Sequence, residues 1–188
     1  MYAILRDLKK YPDRKIYTVD TLAASMGEGL LVYLAAKKKE AGASIEEVRD
    51  YVESNKLHLC HWFTVDDLFF LKRGGRVSSA TAIMGTMLSI KPVMHVDNAG
   101  RLINVSKARG RKNSIDELFE RMKATAIDPA DQTVFISHGD CAEDAEYLAS
   151  RIKNELSVKN IVISYVGPVI GAHSGPGTLA LFFLGSER

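Results

Sequence analysis

The sequence predicts an α/β protein with α+β character: a mixed, largely antiparallel sheet with helices packed on it. Three observations carry this. Residues 91–96 and 101–106 are strand-like and are separated by Asp97-Asn98-Ala99-Gly100, a hairpin signal. A strand-like run over 133–137 turns at His138-Gly139-Asp140 into a helical pattern over 141–156, whose apolar stripe is Ala145, Leu148, Ile152 and Leu156. Two further apolar runs, 160–165 and 179–184, flank a loop at 166–178 that holds four glycines, two prolines and one histidine. Glycine permits close backbone approach and proline fixes φ, so this loop is expected to be rigid and to hold His173 in place. The plain alternative is a tight connection between core strands with an incidental histidine.

Taken in order, residues 1–10 read as a short helix cut by Pro12, and 15–19 as a strand. Residues 21–41 are helical and end in Lys37-Lys38-Lys39, the charge that a helix C-terminus favours. Ser44-Ile45-Glu46-Glu47 has capping-box spacing, and Ile45, Val48 and Val52 form one apolar face. Residues 1–55 therefore read as helix–strand–helix–helix, the remnant of an N-terminal α/β domain. Residues 56–188 form a second α/β domain. The lone strand at 15–19 leaves an exposed sheet edge, so self-association is expected. Residues 56–63 alternate as a strand, with Leu59, His61 and Phe63 on the face opposite His58, Cys60 and Trp62. A cap-like Thr64-Val65-Asp66-Asp67 leads into an apolar turn of helix that stops at Gly74-Gly75. Residues 80–89 form a helix without charge, which must be buried or must face an apolar ligand. Ser114 opens the next capped helix, with Ile115, Leu118, Phe119 and Met122 on one face.

Composition narrows the function classes. A formal net charge of +2, with both signs interspersed, argues against nucleic-acid binding driven by bulk charge. Two cysteines, Cys60 and Cys141, give no disulfide framework, which points to a reducing, cytoplasmic setting. No apolar run is long enough to cross a bilayer, and the first ten residues lack the apolar core of a signal peptide.

Four constellations bear on chemistry. His58, Cys60 and His61, with His95, His138 and Cys141 elsewhere, are metal-ligating types. Strand alternation splits the first three, and no metal-site spacing is present, so no metal is expected. Cys141, beside His138 at a helix start, is a candidate nucleophile for a thiol- and histidine-dependent hydrolase; against it, Asp140 simply caps the helix. Gly74-Gly75-Arg76 before Ser78-Ser79 resembles an anion-binding turn, without a nucleotide fingerprint. The fourth is the inventory for an amphipathic ligand. His173, with Arg109 or Arg111, suits a carboxylate, and the chargeless helix with the apolar run at 179–184 suits a tail. An ordinary packed core remains the alternative for those apolar residues.

The motifs Asp67-Leu68-Phe69-Phe70-Leu71-Lys72-Arg73-Gly74-Gly75-Arg76-Val77-Ser78, Ile90-Lys91-Pro92-Val93, Arg109-Gly110-Arg111-Lys112 and Gly167-Pro168-Val169-Ile170-Gly171-Ala172-His173-Ser174-Gly175-Pro176-Gly177 together resemble the DegV family of bacterial fatty-acid-binding proteins. The resemblance runs in order from about residue 15 to the C-terminus. It implies a carrier, not an enzyme. Such a protein holds a long-chain fatty acid as its ligand, needs no other cofactor, and presents the carboxylate to a fatty acid kinase for phospholipid synthesis. It implies that residues 56–188 form the lipid-binding domain, with His173 near the carboxylate and Arg109 and Arg111 in a basic region by the head group. Gly171, Ser174, Ile83, Met87 and Phe182 complete the expected ligand contacts. The family's hydroxyl-bearing N-terminal motifs are not found, so the chain reads as a truncated member. A vestigial interaction module that has lost its ligand is a further alternative to the hydrolase.

Overall fold

The computed structural model describes residues 9–78 and 89–188. Its centre is a six-stranded sheet of β1 (Leu59–Thr64), β2 (Ile90–Val96), β3 (Leu102–Arg109), β4 (Thr133–His138), β5 (Asn160–Tyr165) and β6 (Leu179–Leu184), in the order β3-β2-β1-β6-β4-β5. Only the β4–β5 pairing is parallel. That parallel pair needs a crossover, and the helix predicted after β4 supplies it as α5 (Ala142–Leu156). The mixed, mainly antiparallel sheet is the one the sequence predicts.

Helices cover both faces. On one, α5 and α4 (Arg111–Thr125) bury Leu118, Phe119, Met122, Leu148 and Ile152 against Cys60, Trp62, Ile136 and Leu181. On the other, α1 (Met26–Glu40), α2 (Ile45–Asn55) and α3 (Leu68–Arg73) bury Leu30, Leu31, Val52, Leu68 and Leu71 against Leu59, Phe63, Met94 and Phe182. The strand alternation read for 59–63 therefore sorts its residues into the two cores as expected. Residues 26–55 share a core with the sheet. The predicted capping box is present in both directions, with Glu47 N donating to Ser44 Oγ at 3.2 Å and Ser44 N donating to Glu47 Oε2 at 2.7 Å.

Several local expectations are corrected. Residues 15–19 are not a strand. The segment lies extended across α1 and α2, tied by Lys15 Nζ to Glu46 at 2.6 Å, by the Tyr17 hydroxyl to Glu46 at 2.9 Å, and by Arg49 over the Tyr17 ring at 4.5 Å. Side-chain contacts replace ladder pairing there, so the exposed edge invoked for self-association is absent from this segment. The helix placed after Ser114 starts earlier, at Arg111. Gly110 precedes it at φ +87°, and Ser114 is buried with its hydroxyl donating to Arg111 O at 2.7 Å. The loop at 166–178 contains a helix, α6 (Pro168–Ser174). Its first position is the proline, whose missing N–H costs nothing there. The chargeless segment with Ile83 and Met87 lies outside the described residues.

Leu118 is fully buried between α4 and the sheet. Leu118→Ala is expected to lower unfolding free energy by about 2–5 kcal/mol in urea denaturation. A change below about 1 kcal/mol would contradict this packing.

Candidate functional site

Strand directions gather the distinctive sequence at one edge of the sheet. β1, β3, β4 and β5 end there, and β2 and β6 begin there. The loops at this edge therefore carry Asp66, Arg109-Gly110-Arg111, His138 to Cys141, and the turn from α6 into β6.

Two of these loops are laced together. Gly139 N donates to Thr178 O at 2.8 Å, and Gly177 N donates to Gly139 O at 2.7 Å. Thr178 Oγ1 donates to Gly175 O at 2.8 Å. A Cβ on Gly139 would stand 2.9 Å from Gly175 O, so the backbones meet at a distance only glycine allows.

On this base α6 docks against α3. A Cβ on Gly175, whose φ is +78°, would stand 2.6 Å from the Phe70 ring. The Arg73 guanidinium also lies over that ring, 4.4 Å from its centroid. A Cβ on Gly74 would overlap His173 Nδ1. The Gly74-Gly75 and His173-to-Gly177 motifs, a hundred residues apart, are thus two sides of one contact. His173 lies in the last turn of α6, half-buried, with its ring seated on bare backbone at Gly74. Ser174 is buried, and its hydroxyl donates to Ile170 O at 2.9 Å, so it serves the helix. Gly171 donates to Gly167 O, and a Cβ there would meet Val166 at an ordinary 3.6 Å.

The two arginines part company. The register of β3 against β2 skips Val105, because Val93 pairs with Ser106 and Met94 with Asn104. This bulge switches faces: Leu102 packs into the core beneath α1 and α3, and Ala108 into the core beneath α4 and α5. Strand alternation therefore puts Arg109, next to Ala108, on the face opposite α4 and α5, where it is exposed. Arg111 goes the other way. Its Nε donates to Asp144 at 2.8 Å, Nη2 donates to Cys141 Sγ at 3.5 Å, and Nη1 lies 3.7 Å from Asp66. Nη1 is buried and has no hydrogen-bond acceptor among the described residues. Asp66 also takes Lys91 Nζ at 2.8 Å. Asp66 and Asp144 were given no role in the sequence, where the cap-like stretch at 64–67 was the one signal for the first; Lys91 entered only as part of the Ile90-Lys91-Pro92-Val93 motif.

Phe182 is fully buried under α1, 4.5 Å from the His61 ring and against Gly27. It is a core residue in mid-strand and lies away from the edge with His173. Ile83 and Met87 cannot be placed among the described residues. The candidate thiol–imidazole pair does not form. Cys141 Sγ donates to Thr178 O at 3.2 Å, and His138 Nδ1 accepts from the Cys141 backbone N at 3.3 Å. Burial is the main influence on the Cys141 thiol and pushes its pKa up, against thiolate formation. Cys141 itself, not Asp140, occupies the position before α5. Among the described residues no three His, Cys, Asp or Glu side chains cluster as metal ligands.

Comparison with known proteins places this arrangement. The model of the family described as uncharacterised protein, DegV family, matches residues 3–186. A DegV domain-containing protein of Clostridium perfringens is 54% identical over 181 residues, 96% of this chain and 62% of its own length. A solved DegV family protein of Thermus thermophilus, described for its fatty acid binding, is 33% identical at a TM-score of 0.80, over 93% of this chain and 62% of the other. Protein TM841 of Thermotoga maritima, described as revealing a fatty acid binding function, is 31% identical at a TM-score of 0.79, over 96% and 62%. The chain thus spans roughly three fifths of the length of these relatives.

Two glycines of the α6 region are predicted to behave differently. Gly175→Ala meets both the Phe70 ring and a left-handed backbone, and should cost about 1–3 kcal/mol. Gly171→Ala is helical and unobstructed, and should stay within about 0.5 kcal/mol of wild type. Chemical denaturation of both variants checks this; equal effects would show that α6 is not seated as described.

Proposed function

The chain belongs to the DegV family, and from that footing we propose that it takes part in holding a long-chain fatty acid with the carboxylate at the edge that carries His173. The observation that carries the reading is the seat of His173 on Gly74, where any side chain would displace the ring. A half-buried imidazole held this way can donate to a carboxylate oxygen without first losing rotamer freedom. Arg109, turned to the same side by the bulge, adds an exposed positive charge near the head group. Arg111 is proposed to act less directly, by fixing the loop at Asp66 and the start of α5 beside the site. Gly171 and Ser174 are proposed to serve the site by shaping α6, through their bonds to Gly167 O and Ile170 O.

The acyl tail is proposed to run into the apolar side beneath α3, with Ile83 and Met87 as tail contacts and Phe182 backing that side from the sheet. Fatty acid binding described for two relatives at 31–33% identity supports this ligand class. The role is that of a carrier that presents the carboxylate to a fatty acid kinase in the cytoplasm. Among the described residues no helix is long and apolar enough to cross a membrane. The misdirected Cys141 and His138 leave the hydrolase reading without its nucleophile–base contact.

Binding of oleate and palmitate to the 188-residue chain tests the proposal, by native mass spectrometry and by the rise in unfolding temperature that a native-state ligand produces. His173→Ala should weaken binding about tenfold or more, the value of a hydrogen bond to a charged group. Gly74→Ala should weaken it too, although Gly74 offers no ligand-binding group. Uptake of neither acid by the wild type, or wild-type affinity in both variants, would overturn the reading.

A further inference from the structure

At the opposite edge of the sheet the chain after β6 turns back as a strap. Gly185 N donates to His58 O and Ser186 N donates to Thr125 O, each at 2.8 Å, and Cys60 Sγ donates to Glu187 O at 3.1 Å. Arg188, in the strap, donates from Nη2 to Leu22 O. Its Nε and Nη1 are buried and have no hydrogen-bond partner among the described residues. The guanidinium shares a cleft of about 460 Å³ with His95 and the hairpin turn at Asp97 to Arg101.

Two imidazoles feel this cation. His95 stacks on Trp62, with ring centroids 5.0 Å apart and planes at 26°, and its Nδ1 is buried with no hydrogen-bond partner among the described residues. The His61 ring packs on Phe63 and Phe182, and its Nδ1 likewise has no hydrogen-bond partner among the described residues. Burial first, and the Arg188 charge after it, hold His61 neutral with a pKa down to about 3. His95 is likewise held below its ordinary value, by burial and by Arg188 and Arg121 against the opposing pull of Asp97.

Among the described residues two carboxylates oppose these cations, and both are already paired: Asp97 with Arg101 and Glu117 with Arg121. Asp97 is occupied by Arg101 Nε at 3.0 Å and Nη2 at 2.9 Å, and by the backbone N–H groups of Ala99 and Arg101. Arg121 lies over the Trp62 ring at 5.0 Å, and its charge is paired with Glu117, to which Nη2 donates at 2.7 Å and Nε at 3.1 Å. Burial holds the Cys60 thiol neutral with a pKa up to about 12, and Glu187 is exposed.

We propose that the strap is an acid-released latch, in which a proton on His95 sets a second charge beside Arg188 and detaches the guanidinium from Leu22. The bond it breaks restrains a strained segment. Leu22 and Ser25 both have positive φ, 51° and 56°, which non-glycine residues avoid. Ser25 then meets Ser137 hydroxyl to hydroxyl at 3.2 Å, one residue before His138 at the edge that carries His173. Opening the latch therefore loosens the start of α1. The sign follows from the neutral ring in the closed form: the latch holds above the ordinary imidazole pKa of about 6.5 and opens as pH falls below it.

Trp62 is the one tryptophan of the chain, and its stacking partner is His95, so its fluorescence reports the proton. Wild type should show a fluorescence transition with a midpoint below about 6.5. In Arg188→Gln the midpoint should rise by roughly half a unit or more, because a like charge has gone. Arg188→Lys, which keeps the charge, should titrate near wild type, and His95→Gln should lose the transition. Hydrogen exchange corrected for intrinsic rates should rise below the midpoint in residues 20–25 and 185–188 before the strands. An unmoved midpoint in Arg188→Gln, or protection that persists in both segments through the transition, would overturn the proposal.

Discussion

Bare backbone at Gly74 and Gly175 lets α3 and α6 approach closely enough to share one surface, and the edge that carries His173 depends on that approach. A side chain at either position would meet His173 or Phe70 within van der Waals distance. The lacing of Gly139, Gly177 and Thr178 below it fixes the turn into β6 to the turn out of β4. His173 is therefore positioned by backbone from two directions. Rigidity of this kind lets a single imidazole be presented with little entropy left to lose on binding.

The charges at the same edge divide into two sets with different work. Arg111, Asp66, Lys91 and Asp144 pair among themselves, joining the ends of β1 and β2 to α4 and α5. Such partly exposed pairs contribute little to net stability, but they fix loop geometry. Arg109 and His173 are not drawn into that network. The division follows the extra residue Val105 in β3, which sets the face of Arg109, and Gly110, which separates it from Arg111 at the start of α4.

Much of the architecture was legible in the sequence because its signals are local. The hairpin turn at 97–100, the capping box at Ser44 and Glu47, and the stripe of α5 each depend on residues a few positions apart. The extended run at 15–19 misled because strand identity depends on a partner, and this segment found side chains of α2 instead. The early start of α4 was hidden because Gly110, not a polar cap, precedes it. At the site, the histidine and the glycines were legible as a motif. That Gly74 and His173 touch, and that Arg109 and Arg111 diverge, were not, since both follow from tertiary register. Cys141 and Ser174 both donate to backbone carbonyls, a use that spacing alone does not determine.

The central claim is that the His173 ring, seated on Gly74, meets the carboxylate of a bound fatty acid. It is tested most directly by following the His173 imidazole resonances by NMR while carboxyl-labelled oleate is added. The account predicts saturable shifts of that ring, matched by a shift of the labelled carboxyl and reduced in a chain carrying alanine at position 74. Saturation of the carboxyl signal while the His173 ring stays unperturbed would contradict it.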